Sequence, residues 1–255
     1  MDWKKVRYDR VCMVLIVPII LIALIVNAAT AKNALPADGS LGSAGGTGGA
    51  AEPFAATVDN SKVVYLAPSN QYDNVYTGFD TTEKEQMRKI ADIVKTYLLA
   101  EGIKVQVAGE DFSLSDKIQT ANELGVGIYV SIHSNAGGGK GTEAFFNPMF
   151  KGSEELAYSV YSQVTEATPT PGRGTYDVYK VERDLDEIKK INMPGTLVEV
   201  EFHDRQETAE WIVNNTEPLA RAIANGIIQY YNLNMKDTVT TTPETMPETV
   251  TSIDN

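Results

Sequence analysis

Cysteine and histidine are scarce in this chain of 255 residues. The single cysteine, Cys12, lies in an apolar segment, so the rest of the chain has no disulfide and must be stabilised by its core. The two histidines, His133 and His203, are the only imidazoles available to a metal site. Basic side chains are outnumbered, 22 against 34 acidic ones, which gives a formal net charge of −12. No basic stripe is visible, so we expect no nucleic-acid partner.

Long apolar runs are also few, and the clearest one spans residues 11–26. Four basic side chains precede it in residues 1–10, and it reaches about 20 residues if 27–30 are included, enough to span a bilayer. The following AATAK, residues 28–32, resembles a signal-peptidase site. Residues 1–31 are therefore predicted to be a membrane anchor or a signal peptide. Either places the remainder outside the cytoplasm, on the extracytoplasmic face of the membrane or secreted.

Composition divides the rest of the chain into three segments. Residues 32–57 are rich in Gly, Ala and Ser and are predicted to be a flexible linker. Residues 234–255 are rich in Thr, Pro and acidic side chains and are predicted to be a disordered tail. Residues 58–233 are long enough for one well-buried domain.

Within this domain, strand-like apolar runs alternate with helical periodicity. This order predicts an α/β fold, a single domain with a mostly parallel twisted sheet and helices on both faces. A Ser cap opens the second helix and Gly102 ends the first. The predicted strands are residues 62–67, 103–108, 127–133, 142–146 and 195–202, and the predicted helices are 83–102, 113–125, 154–165 and 217–231.

His133 ends one predicted strand, in IYVSIHSNAGGGKG, residues 128–141. Taken alone, a histidine beside a core strand is more often structural than functional. Active sites of parallel sheets, however, lie at the carboxyl ends of the strands, where His133 is expected.

A second cluster occupies TLVEVEFHDR, residues 196–205. Strand alternation predicts Glu199, Glu201 and His203 on one face, where a buried acid needs a metal or hydrogen-bond donors. The alternative is that Glu201 and His203 lie on a half-buried strand at the surface. Glu83, in the first turn of the first long helix, is a third candidate, with favourable interaction with the helix dipole as its simpler interpretation.

The chain contains, in this order, TEKEQMRKIAD, LLAEGIKV, KIQTANELGVGIYVSIHSNAG, SEELAYSVY, PGRGTYDVYK and MPGTLVEVEFHD. These segments cover about residues 63–231, and together they resemble the zinc-dependent N-acetylmuramoyl-L-alanine amidases of the type 3 amidase family. The resemblance implies an α/β fold that hydrolyses the amide between N-acetylmuramic acid and L-alanine in peptidoglycan. It also implies Zn2+ as the cofactor.

The resemblance implies roles for individual residues. Glu83 and His133 match two zinc ligands, and Glu199 matches the catalytic glutamate. These roles agree with general zinc chemistry, in which protein ligands leave one position for a water and a nearby carboxylate carries its proton.

The resemblance breaks at the first ligand. The family's D-P-G-H-G-G motif is replaced by LAPSNQYDN, so Asn70 stands where a histidine is expected, and an amide is a poor zinc ligand. His203 is the candidate for the missing ligand, provided that the end of the strand curls back toward the metal. Gln71, Asp73 and Glu201 are weaker substitutes.

Three functions remain open from the sequence. The first is a peptidoglycan amidase in which zinc activates water and Glu199 is the general base. The second is a non-catalytic descendant that binds peptidoglycan or regulates another hydrolase. The third is a different metallohydrolase, such as an exopeptidase, on the same fold. The sequence identifies no protein activator.

Overall fold

The computed structural model describes residues 62–239, with side chains described for residues 62–232. The predicted anchor or signal peptide, residues 1–31, and the predicted linker, residues 32–57, lie outside the described residues. The described elements are β1 (Val63–Pro68), α1 (Glu83–Ala100), β2 (Lys104–Val107), α2 (Leu114–Leu124), β3 (Ile128–Asn135), β4 (Glu143–Phe146), α3 (Ser153–Ala167), β5 (Gly174–Asp177), α4 (Asp186–Lys189), β6 (Gly195–Phe202), α5 (Gln206–Asn214) and α6 (Thr216–Val239).

The six strands form one sheet in the order β2-β1-β3-β6-β4-β5. Strands β2, β1, β3 and β6 pair in parallel, whereas β4 runs antiparallel to β6 and parallel to β5. Both β3 and β6 are buried along their whole length, as expected of central strands covered on both faces. The predicted mostly parallel α/β sheet is confirmed.

Apolar side chains fill both faces of this sheet. On one face, strand residues such as Val130 and Val198 pack with α1, α3, α5 and α6. On the other, Tyr129 and Leu197 pack with residues of α2 and α4. Helices therefore cover both faces, as predicted, and the alternation of side chains along β3 and β6 separates the two core clusters.

Local signals set the start of α1 and α2 and the end of α1. Thr82 and Glu85 form a capping box that starts α1 at Glu83, so this carboxylate occupies the first helical position. Ser113 forms a similar box for α2, which confirms the predicted cap. Gly102, at φ +75°, follows the end of α1 and adopts a conformation that favours glycine.

Several boundaries differ from the predictions. α3 and α6 extend beyond the predicted ranges, and α6 runs to Val239, so residues 234–239 of the predicted tail are helical. Strand β5 and helices α4 and α5 were not predicted, because short segments carry too little periodicity to be recognised. Among residues 62–239, no helix combines the length and apolar character needed to cross a bilayer.

An irregularity interrupts the β3–β6 pairing just where the polar residues begin. His133 pairs with Glu199, but Asn135 pairs with Phe202, so β6 advances three residues while β3 advances two. A bulge of this kind breaks the alternation of faces. The prediction that Glu199, Glu201 and His203 share one face is therefore wrong.

Candidate active site

Glu83 is fully buried at the start of α1 and lies against the end of β3. Its carboxylate accepts hydrogen bonds from Asn74 Nδ2 at 2.6 Å and from the backbone N–H of Ser134 at 3.3 Å. Its Oε1 lies 2.9 Å from Nδ1 of His133. Burial favours the neutral acid, but the contacts with His133 and Asn74 outweigh it and lower the pKa of Glu83.

His133 is held between two carboxylates. Nδ1 faces Glu83, and Nε2 lies 3.2 Å from Oε2 of Glu187. Burial alone would lower the pKa of His133, but the hydrogen bonds and charges of Glu187 and Glu83 raise it to about 10. These two contacts fix the orientation of the imidazole between Glu83 and Glu187.

Glu187, on α4, anchors a buried network that the sequence did not reveal. Its Oε1 lies 3.2 Å from Nζ of Lys117 and accepts a 2.7 Å hydrogen bond from the Tyr129 hydroxyl. Burial favours the neutral acid, yet His133 and Lys117 lower the pKa of Glu187 to about 2. The available signal was Lys117, a charged residue one turn before Ala121 on the buried side of α2.

Glu199 lies directly across from His133 in the β3–β6 pair. Nη2 of Arg183 donates a hydrogen bond to its Oε1 at 3.4 Å, whereas Oε2 is buried without a hydrogen-bond partner among the described residues. Burial raises the pKa of Glu199 to about 7, with His133 opposing the rise and Glu83 adding to it. A buried carboxyl with one free oxygen and a near-neutral pKa can accept and return a proton.

His133, Glu187 and Glu199 border one cleft of about 480 Å³ at the carboxyl ends of β1, β3 and β6, and Glu83 is buried in contact with His133. This is the position expected for the site of a parallel sheet. Arg183 lies at its border, with the guanidinium group 4.9 Å from the Phe145 ring. The cleft is lined by Asn70, Gln71, Leu114, His133, Arg183, Asp184, Leu185, Asp186, Glu187, Leu197 and Glu199.

The structure places His203 apart from the cleft lining. Its Nδ1 lies 3.0 Å from both Oγ and the carbonyl oxygen of Ser134, and its ring stacks on Tyr76 with centroids 5.3 Å apart. The bulge at the end of β6 accounts for this placement, since it turns the following residue away from the face of Glu199. The described residues do not bring His203 together with Glu83 and His133 as the expected third ligand.

The weaker substitutes are also dispersed. Asn70 lines the cleft but donates its amide to the carbonyl of Phe112 at 3.2 Å. Glu201 is fully buried and accepts the backbone N–H of Gly141 at 2.9 Å. Only the amide of Gln71 approaches the expected ligands, at 3.4 Å from Nδ1 of His133. Asp73 is exposed and does not line the cleft.

These donors do not fit the three-ligand zinc site that the sequence suggested. A hydrolytic zinc typically takes three protein ligands. In residues 62–232, no group of three His, Cys, Asp or Glu side chains is arranged to hold a metal ion. Glu83 and Nδ1 of His133 supply two suitable donors, and a neutral amide is the nearest further group.

The fold and the cleft together define an α/β protein with buried carboxylates and a histidine at the carboxyl ends of its parallel strands. A family model described as N-acetylmuramoyl-L-alanine amidase matches residues 69–229. The chain belongs to this family, which confirms the resemblance seen in the sequence.

Individual relatives agree with this assignment. A sporulation-specific N-acetylmuramoyl-L-alanine amidase of Bacillus subtilis (strain 168) is 30% identical over 166 residues, which are 62% of this chain and 63% of the relative. The chain thus spans less than two thirds of that relative.

Solved structures share the fold. The catalytic domain of CwlV, an N-acetylmuramoyl-L-alanine amidase from Bacillus (Paenibacillus) polymyxa var. colistinus, aligns with a TM-score of 0.60 and 22% identity, over 67% of this chain and 98% of that one. An N-acetylmuramoyl-L-alanine amidase of Clostridium difficile 630 aligns with a TM-score of 0.59 and 26% identity, over 68% and 98%.

Proposed function

We propose that this chain hydrolyses peptidoglycan at the amide between N-acetylmuramic acid and L-alanine. The observation that carries the proposal is Glu199, which lines the cleft of an amidase-family fold and has one carboxyl oxygen buried without a hydrogen-bond partner among the described residues. A carboxylate kept in this state is costly for folding, and such costs concentrate at functional sites.

Glu199 is the proton carrier in the proposed reaction. Its carboxylate takes a proton from a water molecule as the water oxygen attacks the lactyl carbonyl carbon. The carbon–nitrogen bond then breaks, and the same carboxyl group returns the proton to the amine of L-alanine. Arg183, 3.4 Å from Oε1, favours the ionised form that must act as base. His133, held between Glu83 and Glu187, lies opposite Glu199 in the β3–β6 pair with its ring fixed in orientation.

Zinc dependence is a separate part of the proposal and rests on two donors. Glu83 and His133 are the residues that would hold Zn2+, through a carboxylate oxygen and Nδ1. Because two protein donors bind zinc more weakly than three, we expect incomplete zinc occupancy of the purified chain. The two proton transfers described above therefore use Glu199 alone.

A second candidate function is binding of peptidoglycan without cleavage. The observation that favours it is the incomplete donor set, with Asn70 turned to Phe112 where the family has a ligand histidine. A cleft of about 480 Å³ can hold part of a glycan or peptide without chemistry.

The site of action is proposed to be outside the cytoplasm. The support is the uncharged apolar run of residues 11–26 behind four basic side chains, together with a cell-wall substrate. Both a retained anchor and a cleaved signal fit this proposal. The N-terminal residue of the mature protein would distinguish them.

One experiment separates the two candidate functions. Purified chain is incubated with peptidoglycan, with added zinc and with a chelator, and the release of stem peptides is measured beside the metal content. Stem-peptide release by the wild type and its loss in Glu199→Gln support the amidase. Tight binding to peptidoglycan with no release of stem peptides in any condition would support binding without cleavage instead. Release that survives in Glu199→Gln would remove Glu199 as the proton carrier.

A further inference from the structure

A second cavity adjoins the active-site cleft. It has a volume of about 360 Å³ and shares Arg183 with the cleft. Its other notable feature is a second arginine, Arg173, opposite an exposed glycine-rich loop. The cavity is lined by Asn135, Ala136, Gly137, Gly139, Glu143, Arg173, Arg183 and Phe202.

Arg173 is fixed at its inner end and open at its outer end. Nε donates to Oε1 of Glu143 at 2.5 Å, and the guanidinium group lies over the Phe202 ring, 5.5 Å from its centroid. Its terminal nitrogens, Nη1 and Nη2, have no hydrogen-bond partner among the described residues, and 44% of the side chain is exposed. Two parallel N–H donors held in this way match the two oxygens of a carboxylate.

Glu143 joins the two arginines of this cavity. Glu143 is buried, and its second oxygen accepts Nη1 of Arg183 at 2.9 Å. Nη2 of Arg183 contacts Glu199 and Asn135, so both of its terminal nitrogens are engaged. Among the described residues, the terminal nitrogens of Arg173 are therefore the guanidinium donors of this cavity that stay open to a ligand carboxylate.

The distance to the reacting group limits which carboxylate can bind. Arg183 contacts Glu199 at 3.4 Å and Glu143 at 2.9 Å, so it links the proton carrier to the cavity that holds Arg173. Successive residues of a peptide advance by about 3.8 Å. A peptide that runs from Glu199 toward this cavity, with the amine of its first residue at Glu199, would bring its second residue beside Arg183 and toward Arg173.

We propose that Arg173, supported by Arg183, binds the free α-carboxylate of the second stem-peptide residue, a γ-linked glutamate. This inference rests on the proposed peptidoglycan substrate. A γ-linkage leaves the α-carboxyl group free beside the backbone, where a bidentate guanidinium can reach it. Peptidoglycan in which this group is amidated lacks the charge and should bind less tightly.

The test compares two ligands that differ only at this group. Both are N-acetylmuramoyl-L-alanyl-D-glutamate with the γ-carboxyl capped as a methylamide, one with a free α-carboxylate and one with an α-carboxamide. Binding is measured by titration calorimetry on the full chain carrying Glu199→Gln, so that no cleavage occurs. We expect the carboxylate ligand to bind about tenfold more tightly, a typical effect of a charged, bidentate hydrogen bond at a partly exposed site.

Variants of Arg173 test whether this residue causes the preference for the carboxylate ligand. Arg173→Gln should remove the difference between the two ligands without weakening the carboxamide ligand, and Arg173→Lys should restore only part of it because the fork of donors is lost. Arg221→Gln, on the exposed side of α6, is the matched control for the loss of one positive charge and should keep the preference. Unchanged binding of the carboxamide ligand also shows that the variant is folded.

The outcomes separate this inference from the proposed reaction. A carboxylate preference that depends on Arg173 supports the inference even if the wild-type chain releases no stem peptide, in which case only the amidase proposal fails. Equal binding of the two ligands, or a preference that survives in Arg173→Gln, overturns the inference. Binding of neither ligand removes both the inference and peptidoglycan as the ligand of the cleft.

Discussion

Replacing Glu199 with glutamine should stabilise the fold while abolishing hydrolysis. Burial raises the pKa of Glu199 from 4.5 to about 7, so the folded protein holds the neutral acid more readily than the unfolded chain does. The stability that this provides is complete below pH 4.5 and is lost as the pH rises through 7. The difference corresponds to about 3 kcal/mol for a buried group. Glutamine has no charge to bury, so Glu199→Gln should avoid this loss.

Urea unfolding at pH 5 and pH 8 measures the effect. We expect the difference in the free energy of unfolding between Glu199→Gln and the wild type to be about 3 kcal/mol larger at pH 8 than at pH 5. A chelator is included because a bound cation would stabilise the ionised carboxylate. Glu210→Gln, at an exposed position of α5, controls for the removal of one acidic group. The same difference at both pH values would refute the account of Glu199 as a carboxyl group destabilised by burial. Stem-peptide release should fall by about 100-fold or more in Glu199→Gln.

Two further substitutions test the expected metal site and the buried ion pair of Glu187. Asn70→His should bring the zinc content closer to stoichiometric, because it adds an imidazole to a cleft that already contains His133; unchanged zinc by elemental analysis would show that position 70 is not directed at a metal site. Lys117→Met should lower the free energy of unfolding at pH 7 by about 3 kcal/mol, because it removes one partner of the buried Glu187. The exposed Lys89→Met is its control, and equal losses in the two variants would contradict this role of Lys117.

The sequence was sufficient to predict the sheet, its coverage by helices, two residues of the cleft and the buried Glu83 that contacts one of them. Glu83, His133 and Glu199 each follow a strong local signal: the start of a capped helix or the polar end of an apolar strand. The parallel pairing of β3 and β6 then brings two of them together without any further information. Periodicity and capping are local properties, so a sequence can report them.

Glu187 and Arg183 were not predicted because nothing local distinguishes them. They belong to an acidic and basic stretch, residues 182–190, that resembles a solvated surface segment. Their roles come from partners distant in the sequence, such as His133 and Glu143. Likewise, the bulge that turns His203 toward Ser134 depends on pairing between two strands. Alternation along one strand cannot predict it.

The strand order has a consequence for when the protein can act. His133 and Glu199 become neighbours only after β3 pairs with β6, although β4, α3, β5 and α4 all lie between them in the chain. Contacts between distant segments form late in folding, because the intervening chain must be ordered first. A chain still threading through a membrane, or one cut before β6, therefore has no assembled cleft. A lytic activity that assembles only in the finished fold would spare the cell that makes it.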